Sequence, residues 1–198
     1  MSDRAQSQGP TQPVQLAAGA LGMIFFIAAL TMFFGAGIVV YLIMRQMHQP
    51  WPPNGFPALP PSLWLSTLDI VLASVSIHGA VLAAGRGDKA GLQRTLVAAL
   101  VLGLAFLGLQ SYAWYRIWTQ VAAVTIAGSS SYLKMFYALT GLHAIHVGGG
   151  LVPLAMLTAA AYRDAAVRTG NAAVRYTAVY WHFLDVVWCI VFGVVYLL

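Results

Sequence analysis

Six ionisable side chains interrupt long apolar stretches of this sequence, and they are the residues with which the chain could do chemistry. Histidine and aspartate are costly to place in hydrocarbon, so each should face a neighbouring helix, a cavity or a partner if these stretches cross a membrane. The six are His78, His143, His146, His182, Asp69 and Asp185.

The last apolar stretch carries His182 and Asp185 three residues apart, which places both on one helical face with Trp181 and Trp188. A histidine beside a carboxylate can exchange a proton near neutral pH, so one hypothesis is a proton relay. The other is a structural contact, in which Asp185 pairs with His182 or with a neighbouring helix and holds the bundle together.

His143 and His146 have the HxxH spacing that occurs in metal sites. Di-metal sites in helical bundles combine such histidines with several glutamates. This sequence has no glutamate, because all five acidic residues are aspartates. We therefore expect no metal centre and no catalytic residue in the chain. A small b-type haem protein remains an alternative, because histidines on different helices could supply two axial ligands.

Asp69 lies near the start of the second apolar stretch, about six residues or roughly 9 Å inside it. The positive end of a helix dipole favours an anion there. The sequence therefore favours a shallow carboxylate that the helix dipole stabilises.

The composition indicates which elements position these residues. Of 198 residues, 60% are hydrophobic and 8% are charged, and the mean hydropathy is +0.78. Because a span needs about 20 apolar residues, this length accommodates roughly five spans. We predict an all-α membrane protein: a polar N-terminal tail over 1–15, then a five-helix transmembrane domain over 16–198, with apolar stretches at 16–44, 63–84, 92–117, 132–162 and 176–198.

The basic residues indicate how the spans are oriented. If the spans alternate, seven of ten share the side of the N-terminus: Arg4, Arg86, Lys89, Arg94, Arg163, Arg168 and Arg175. The positive-inside rule then places the N-terminus in the cytoplasm and the C-terminus on the opposite side. Four tryptophans should lie near the outer interface: Trp51, Trp64, Trp114 and Trp118. Nucleic-acid binding is not expected, because the cations form no single stripe.

Three motifs give the chain a resemblance to subunit III of the haem-copper terminal oxidases, the family of cytochrome c and quinol oxidases. The segment 180–188, YWHFLDVVW, matches the YWHF-x-D-x-VW signature of that family. Residues 140–147, TGLHAIHV, resemble its TG-x-H-x-x-HV motif, and residues 107–112, LGLQSY, resemble its LGLQ-x-Y segment, which contains Gln110. The resemblance extends over everything after the N-terminal tail.

The resemblance implies a multi-pass subunit of a bacterial cytoplasmic membrane that holds no cofactor itself. Haem and copper would lie in the partner, subunit I. A subunit of this kind would form a complex with subunits I and II and stabilise subunit I. Phospholipids would bind between its helices. His78, His143, His146, His182, Asp185 and Gln110 would be structural or proton-relay residues.

Three positions depart from the family pattern, which commonly has glutamate where this chain has Leu30, Ala113 and Arg175. A carboxylate-dependent role in proton transfer therefore cannot be carried over at these positions. A divergent branch, such as a subunit III homologue of a nitric oxide reductase or another respiratory assembly, is a further alternative.

Overall fold

The structure, a computed structural model, describes residues 12–56, 60–122, 129–163 and 166–197. Five α-helices follow one another: α1 (Gln12–Met47), α2 (Ser62–Arg86), α3 (Lys89–Ala122), α4 (Ser129–Tyr162) and α5 (Ala166–Phe192). A π-helical turn at Gly193–Leu197 ends the described chain. These ranges contain no strand, and the predicted all-α class is confirmed.

Each of the five helices contains a stretch that is long and apolar enough to cross a membrane. The stretches are Ala18–Met47, Ser62–Arg86, Lys89–Val121, Ser131–Tyr162 and Ala172–Tyr196. Even the 25-residue stretches extend about 37 Å, which exceeds a hydrocarbon core of roughly 30 Å. The predicted number of spans is therefore confirmed for the part of the chain that the structure describes.

The helices extend beyond the apolar stretches, so several expected loops are shorter. Between α2 and α3 only Gly87 and Asp88 are non-helical, and the expected polar link over 163–175 is helical from Ala166. Helix α1 begins at Gln12 within the expected tail, and Pro13 lies in its first turn, where proline is tolerated. The apolar stretches therefore indicate which part of each helix lies in the hydrocarbon core, and the helices continue beyond them through polar residues.

The turn between α2 and α3 is a two-residue helical hairpin. Gly87 adopts a left-handed conformation with φ of 68°, and its N–H donates to the α2 carbonyls of Ala83 and Ala84. Such a C-cap favours glycine. The Gly91 N–H donates to Asp88 Oδ1 at 2.8 Å, so Asp88 caps the start of α3. This turn holds α2 and α3 in close antiparallel contact.

Two apolar cores hold the bundle together. The larger lies among α2, α3, α4 and α5 and contains the big rings Phe106, Trp181 and Trp188. The smaller joins α1 to α4, α5 and the loop after α1, with Phe34 and Tyr41 as its α1 members. Helix α1 is the most exposed of the five spans, because only 11% of its apolar segment is buried inside the bundle.

The proline-rich loop after α1 folds back onto the bundle through Trp51. Its indole Nε1 donates to the Tyr41 hydroxyl at 3.0 Å, and its ring centroid lies 5.1 Å from that of Tyr132. Of the four tryptophans expected at the outer interface, Trp64 and Trp118 are exposed as that role requires, whereas Trp51 is buried. Its N–H finds a protein partner there, which permits burial.

Candidate functional site

A short polar contact between two spans joins α2 to α5. Ser74 Oγ lies 2.6 Å from His182 Nδ1, so a hydrogen bond crosses the seam between these helices. About two turns away along the same seam, Trp188 Nε1 donates to Thr67 Oγ1 at 3.0 Å. Helices α2 and α5 are thus connected at two levels by side-chain hydrogen bonds, which stabilise helix contacts in lipid.

Asp185 lies beside His182, but the two do not form a close pair. The distance between His182 Nδ1 and Asp185 Oδ2 is 3.9 Å, beyond a hydrogen bond. Both carboxylate oxygens are buried, and neither has a hydrogen-bond partner of good geometry among the described residues, although the Ser74 side chain is near the carboxyl group. The nitrogen that faces Asp185 is already bonded to Ser74, so His182 connects helices instead of binding the carboxylate.

His78 adds a second imidazole to this seam. Its ring centroid lies 5.9 Å from that of His182, and its side chain is exposed on the outer surface of α2. We call Ser74, His78, His182 and Asp185 the α2–α5 polar cluster. The structure therefore brings together three of the six polar residues that the resemblance singled out.

His143 has different surroundings, because it is enclosed by aromatic rings in the larger core. Its ring centroid lies 5.1 Å from Trp188, 5.6 Å from Phe106 and 6.3 Å from Phe34. Neither ring nitrogen has a hydrogen-bond partner among the described residues. The aromatic rings occupy the space where a large planar cofactor would have to approach this side chain.

His146 lies one turn along α4 and contacts α1. Its Nδ1 donates to the Leu142 carbonyl at 2.7 Å, because a carbonyl can only accept, and its ring centroid lies 5.0 Å from that of Phe34. The Tyr180 hydroxyl donates to the His146 carbonyl at 2.8 Å and joins α5 to the same turn. His146 therefore packs at the junction of α1, α4 and α5.

The remaining polar residues are buried singly. Gln110 is 1% exposed, and neither its amide nitrogen nor its oxygen has a hydrogen-bond partner within the described ranges. Asp69 is also buried, seven residues after the first residue of α2, and its Oδ2 is unpaired there. The proposed stabilisation of Asp69 by the helix dipole stays a prediction.

The three positions where the family commonly has glutamate differ in burial. Leu30 and Ala113 are buried apolar residues, at 8% and 0% exposure, whereas Arg175 is exposed on α5. In the part of the chain that the structure describes, no three His, Cys, Asp or Glu side chains are close enough to share a metal ion. Two of the family's carboxylate positions are thus filled by packing side chains.

Sequence reasoning missed the hydroxyl partners that make these contacts. Ser74 holds His182, Thr67 holds Trp188, and Thr140 accepts from Trp114 Nε1 at 3.1 Å. One signal was available for Ser74, because it precedes His78 by four residues and so shares its helical face. The pairing of these hydroxyls with residues more than 20 positions away could not be read from spacing.

An apolar groove lies between α1, α4 and α5 on another side of the bundle. It has a volume of about 480 Å³ and opens outwards, and its lining residues are Met23, Phe26, Gly149, Pro153, Ala173, Tyr176, Thr177 and Tyr180. Its apolar lining and its position between membrane spans suit a hydrocarbon chain.

Five apolar spans joined by buried polar contacts define a multi-pass membrane protein of the helical-bundle class. A family described as "Cytochrome c oxidase subunit III" matches residues 5–198. The chain belongs to this cytochrome c oxidase subunit III family, which confirms the resemblance. It is therefore a subunit III of a haem-copper oxidase complex, and a role in respiratory electron transport follows from the family.

Individual relatives agree with the family match. A probable cytochrome c oxidase subunit 3 of Mycobacterium leprae is 33% identical over 181 residues, which cover 89% of this chain and 86% of the relative. Cytochrome c oxidase subunit 3 of Synechocystis sp. is 32% identical over 89% of this chain and 74% of its own. Subunit 3 of the cytochrome bo(3) ubiquinol oxidase of Pseudomonas putida is 32% identical over 68% of this chain and 63% of its own.

Proposed function

We propose that this chain is a non-catalytic subunit of a haem-copper oxidase in a bacterial cytoplasmic membrane. It packs against subunits I and II and keeps the catalytic subunit active during turnover. The observation that carries the proposal is the use of the polar side chains within the spans. Ser74 and His182 bond one helix to another, and His143 is enclosed by rings, so these groups serve packing between helices.

A small b-type haem protein is less well supported by the same geometry. The rings around His143 leave it no open face, and Nδ1 of His146 is bonded to its own helix. The roughly 480 Å³ groove is lined by neither histidine. Haem and copper accordingly belong to the partner subunit I, and this chain contributes structure.

The groove between α1, α4 and α5 supports the proposed lipid binding. Its walls are formed by Met23, Phe26 and Pro153, with the Tyr180 ring stacked against Phe26 at 5.8 Å. A phospholipid acyl chain fits such an apolar surface without leaving any polar group unpaired. Lipid held there would join α1, the most exposed span, to the rest of the bundle.

Extraction and turnover of the assembled complex test the proposal. Mild detergent should bring the chain out with a much larger haem-bearing subunit, and harsher detergent should release it without removing that haem. After its release, the oxidase should lose activity faster during prolonged oxygen reduction. Assays with oxygen and with nitric oxide as substrate separate a terminal oxidase from a nitric oxide reductase.

Two results would contradict the proposal. One is migration of the chain alone under the mildest conditions, together with unchanged respiratory activity and haem content when its gene is deleted. The other is a stoichiometric haem band in the separated chain that disappears in His143→Leu or His182→Leu variants.

A further inference from the structure

The α2–α5 polar cluster places two imidazoles on the outer surface of the bundle, far from both membrane faces. His78 lies about 24 Å from the start of α2 and about 12 Å from its end, and His182 lies about 15 Å and 21 Å from the ends of its span. With a hydrocarbon core of roughly 30 Å, both rings lie well inside the membrane.

The surface around these rings is otherwise apolar. Val75 is 65% exposed next to His78, and Val179 and Val186 are 47% and 59% exposed on either side of His182. The His182 side chain is itself 39% exposed. Against lipid, the exposed imidazole edges would have only hydrocarbon as a neighbour, which cannot replace the hydrogen bonds that water provides.

The polar groups at this surface determine which hydrogen-bonding groups a partner that packs against it must present. A neutral imidazole carries one donor and one acceptor nitrogen. Ser74 occupies one nitrogen of His182, whereas His78 has no side-chain hydrogen bond among those found in the described ranges. Behind them, the Asp185 oxygens have no hydrogen bond of good geometry within the described part of the chain. A hydroxyl or amide side chain, which both donates and accepts, complements this set.

We propose that this outer face of α2 and α5 is the surface that docks onto the haem-bearing subunit of the oxidase. The partner is a transmembrane helix that presents a hydroxyl or amide side chain to His78 and His182 near the middle of the membrane. The inference rests on the proposed function and goes beyond it by assigning the face and its chemistry. The exposed valines pack against the same helix and exclude lipid from the polar contact.

A photoreactive residue on the assembled complex tests the location of this surface. A benzophenone side chain in place of Val75 should form an adduct with the haem-bearing subunit when the complex is irradiated in its native membrane. The matched control replaces Met156, which is equally exposed on α4 at 69%, and this position should react mainly with lipid. Mass spectrometry of the adducts identifies the partner and the helix that is labelled.

The possible adducts separate this inference from the proposed function. An adduct at position 75 with lipid alone, or with a second copy of this chain, would overturn the docking surface. Co-purification with a haem-bearing subunit would in that case still support the proposed function. Equal protein adducts at positions 75 and 156 also overturn it, because the contact would not be specific to this face. Failure to co-purify with any haem-bearing subunit contradicts the proposed function itself.

Substitution of the exposed imidazole tests the polar contact. His78→Leu should lower the retention of the chain in the complex about threefold in a detergent titration, as expected for loss of one hydrogen bond in a membrane. Met156→Leu, on the exposed face of α4 away from this surface, is the apolar control and should not change retention, and His78→Asn should restore part of it because an amide also donates and accepts. Normal retention of His78→Leu, with unchanged helix content, would overturn the polar contact.

Discussion

Three of the four histidines within the spans of this protein have clearly different surroundings. His143 is fully buried among aromatic rings, His146 bonds to its own helix, and His182 bonds to a neighbouring helix through Ser74. These differences arise from what each side chain meets across the helix interface. The same residue type therefore has separate roles, and a shared HxxH spacing does not make one site of His143 and His146.

At His143, the volume of the side chain should matter more than its polarity. His143→Leu fills nearly the same space without a polar group to bury, so we expect the free energy of unfolding to change by less than about 1.5 kcal/mol. His143→Ala leaves a cavity among Phe106 and Trp188 and should cost about 2–5 kcal/mol. Equilibrium unfolding in mixed detergent micelles measures both changes. Equal, large losses in the two variants would show that the imidazole itself is needed.

The hydroxyl of Ser74 should stabilise the protein because it joins two helices. Ser74→Ala removes the bond to His182 and should lower the free energy of unfolding by about 0.6 kcal/mol, and by no more than about 1.7 kcal/mol. Ser76→Ala is the matched control two residues away. Its hydroxyl donates to Leu72 of the same helix, so its loss should be smaller. A greater effect of Ser76→Ala would contradict the structural role of the cluster.

At the scale of the helices, close packing in this bundle depends on a small residue opposite large rings. Gly103 of α3 faces Trp181 of α5 and Leu151 of α4, and a Cβ atom at this position would lie 2.7 Å and 2.8 Å from their side chains. Lipid provides no hydrophobic drive between helices, so association depends on contacts of this kind. Gly103 thereby lets three helices meet at one level.

Gly103→Ala should destabilise the bundle by about 1–3 kcal/mol, because Trp181 and Leu151 must move to admit the added methyl group. Gly108→Ala is the control on the same helix. A Cβ atom there would have no neighbour within 4 Å, and alanine is a better helix former, so stability should stay equal or rise slightly. Thermal unfolding of the purified complex measures both. Similar effects at the two positions would mean that packing around Gly103 can relax freely.

At the scale of the whole molecule, we predict that the two ends of the chain lie on opposite sides of the membrane, as follows if each of the five helices crosses it once. The structure has five helices of sufficient length and apolarity within its described ranges. Seven of the ten basic residues fall on the N-terminal side when these helices alternate. The positive-inside rule then favours a cytoplasmic N-terminus.

Labelling of introduced cysteines can test this orientation. In a Cys189→Ser background, a cysteine before residue 12 and one at Lys89, the first residue of α3, should be protected from an impermeant maleimide in intact cells. A cysteine at Asn54, in the loop after α1, should react. Labelling in inverted vesicles should show the opposite pattern. Reaction of Lys89→Cys in intact cells would show that the orientation is inverted or that one span does not cross.

The sequence was sufficient to predict the class of fold, the number of spans and the family. Each membrane span must form its backbone hydrogen bonds internally, so it is a helix whose apolar stretch of about 20 residues can be recognised in the sequence. The helix ends were less accurate, since α5 begins ten residues before the apolar stretch at 176–198. The segment before that stretch is helical although it is polar, and hydropathy records only its polarity.

The sequence by itself determined which polar residues lie within the spans, whereas only the tertiary structure decided what each of them contacts. Spacing placed His182 and Asp185 on one face, but the closest partner of His182 is Ser74, 108 positions away in the chain. Likewise, Trp51 is buried and donates to Tyr41, a contact that the sequence did not predict. Periodicity fixes the direction of a side chain about its own helix axis, and contacts between helices depend on how the helices pack, which local sequence does not encode.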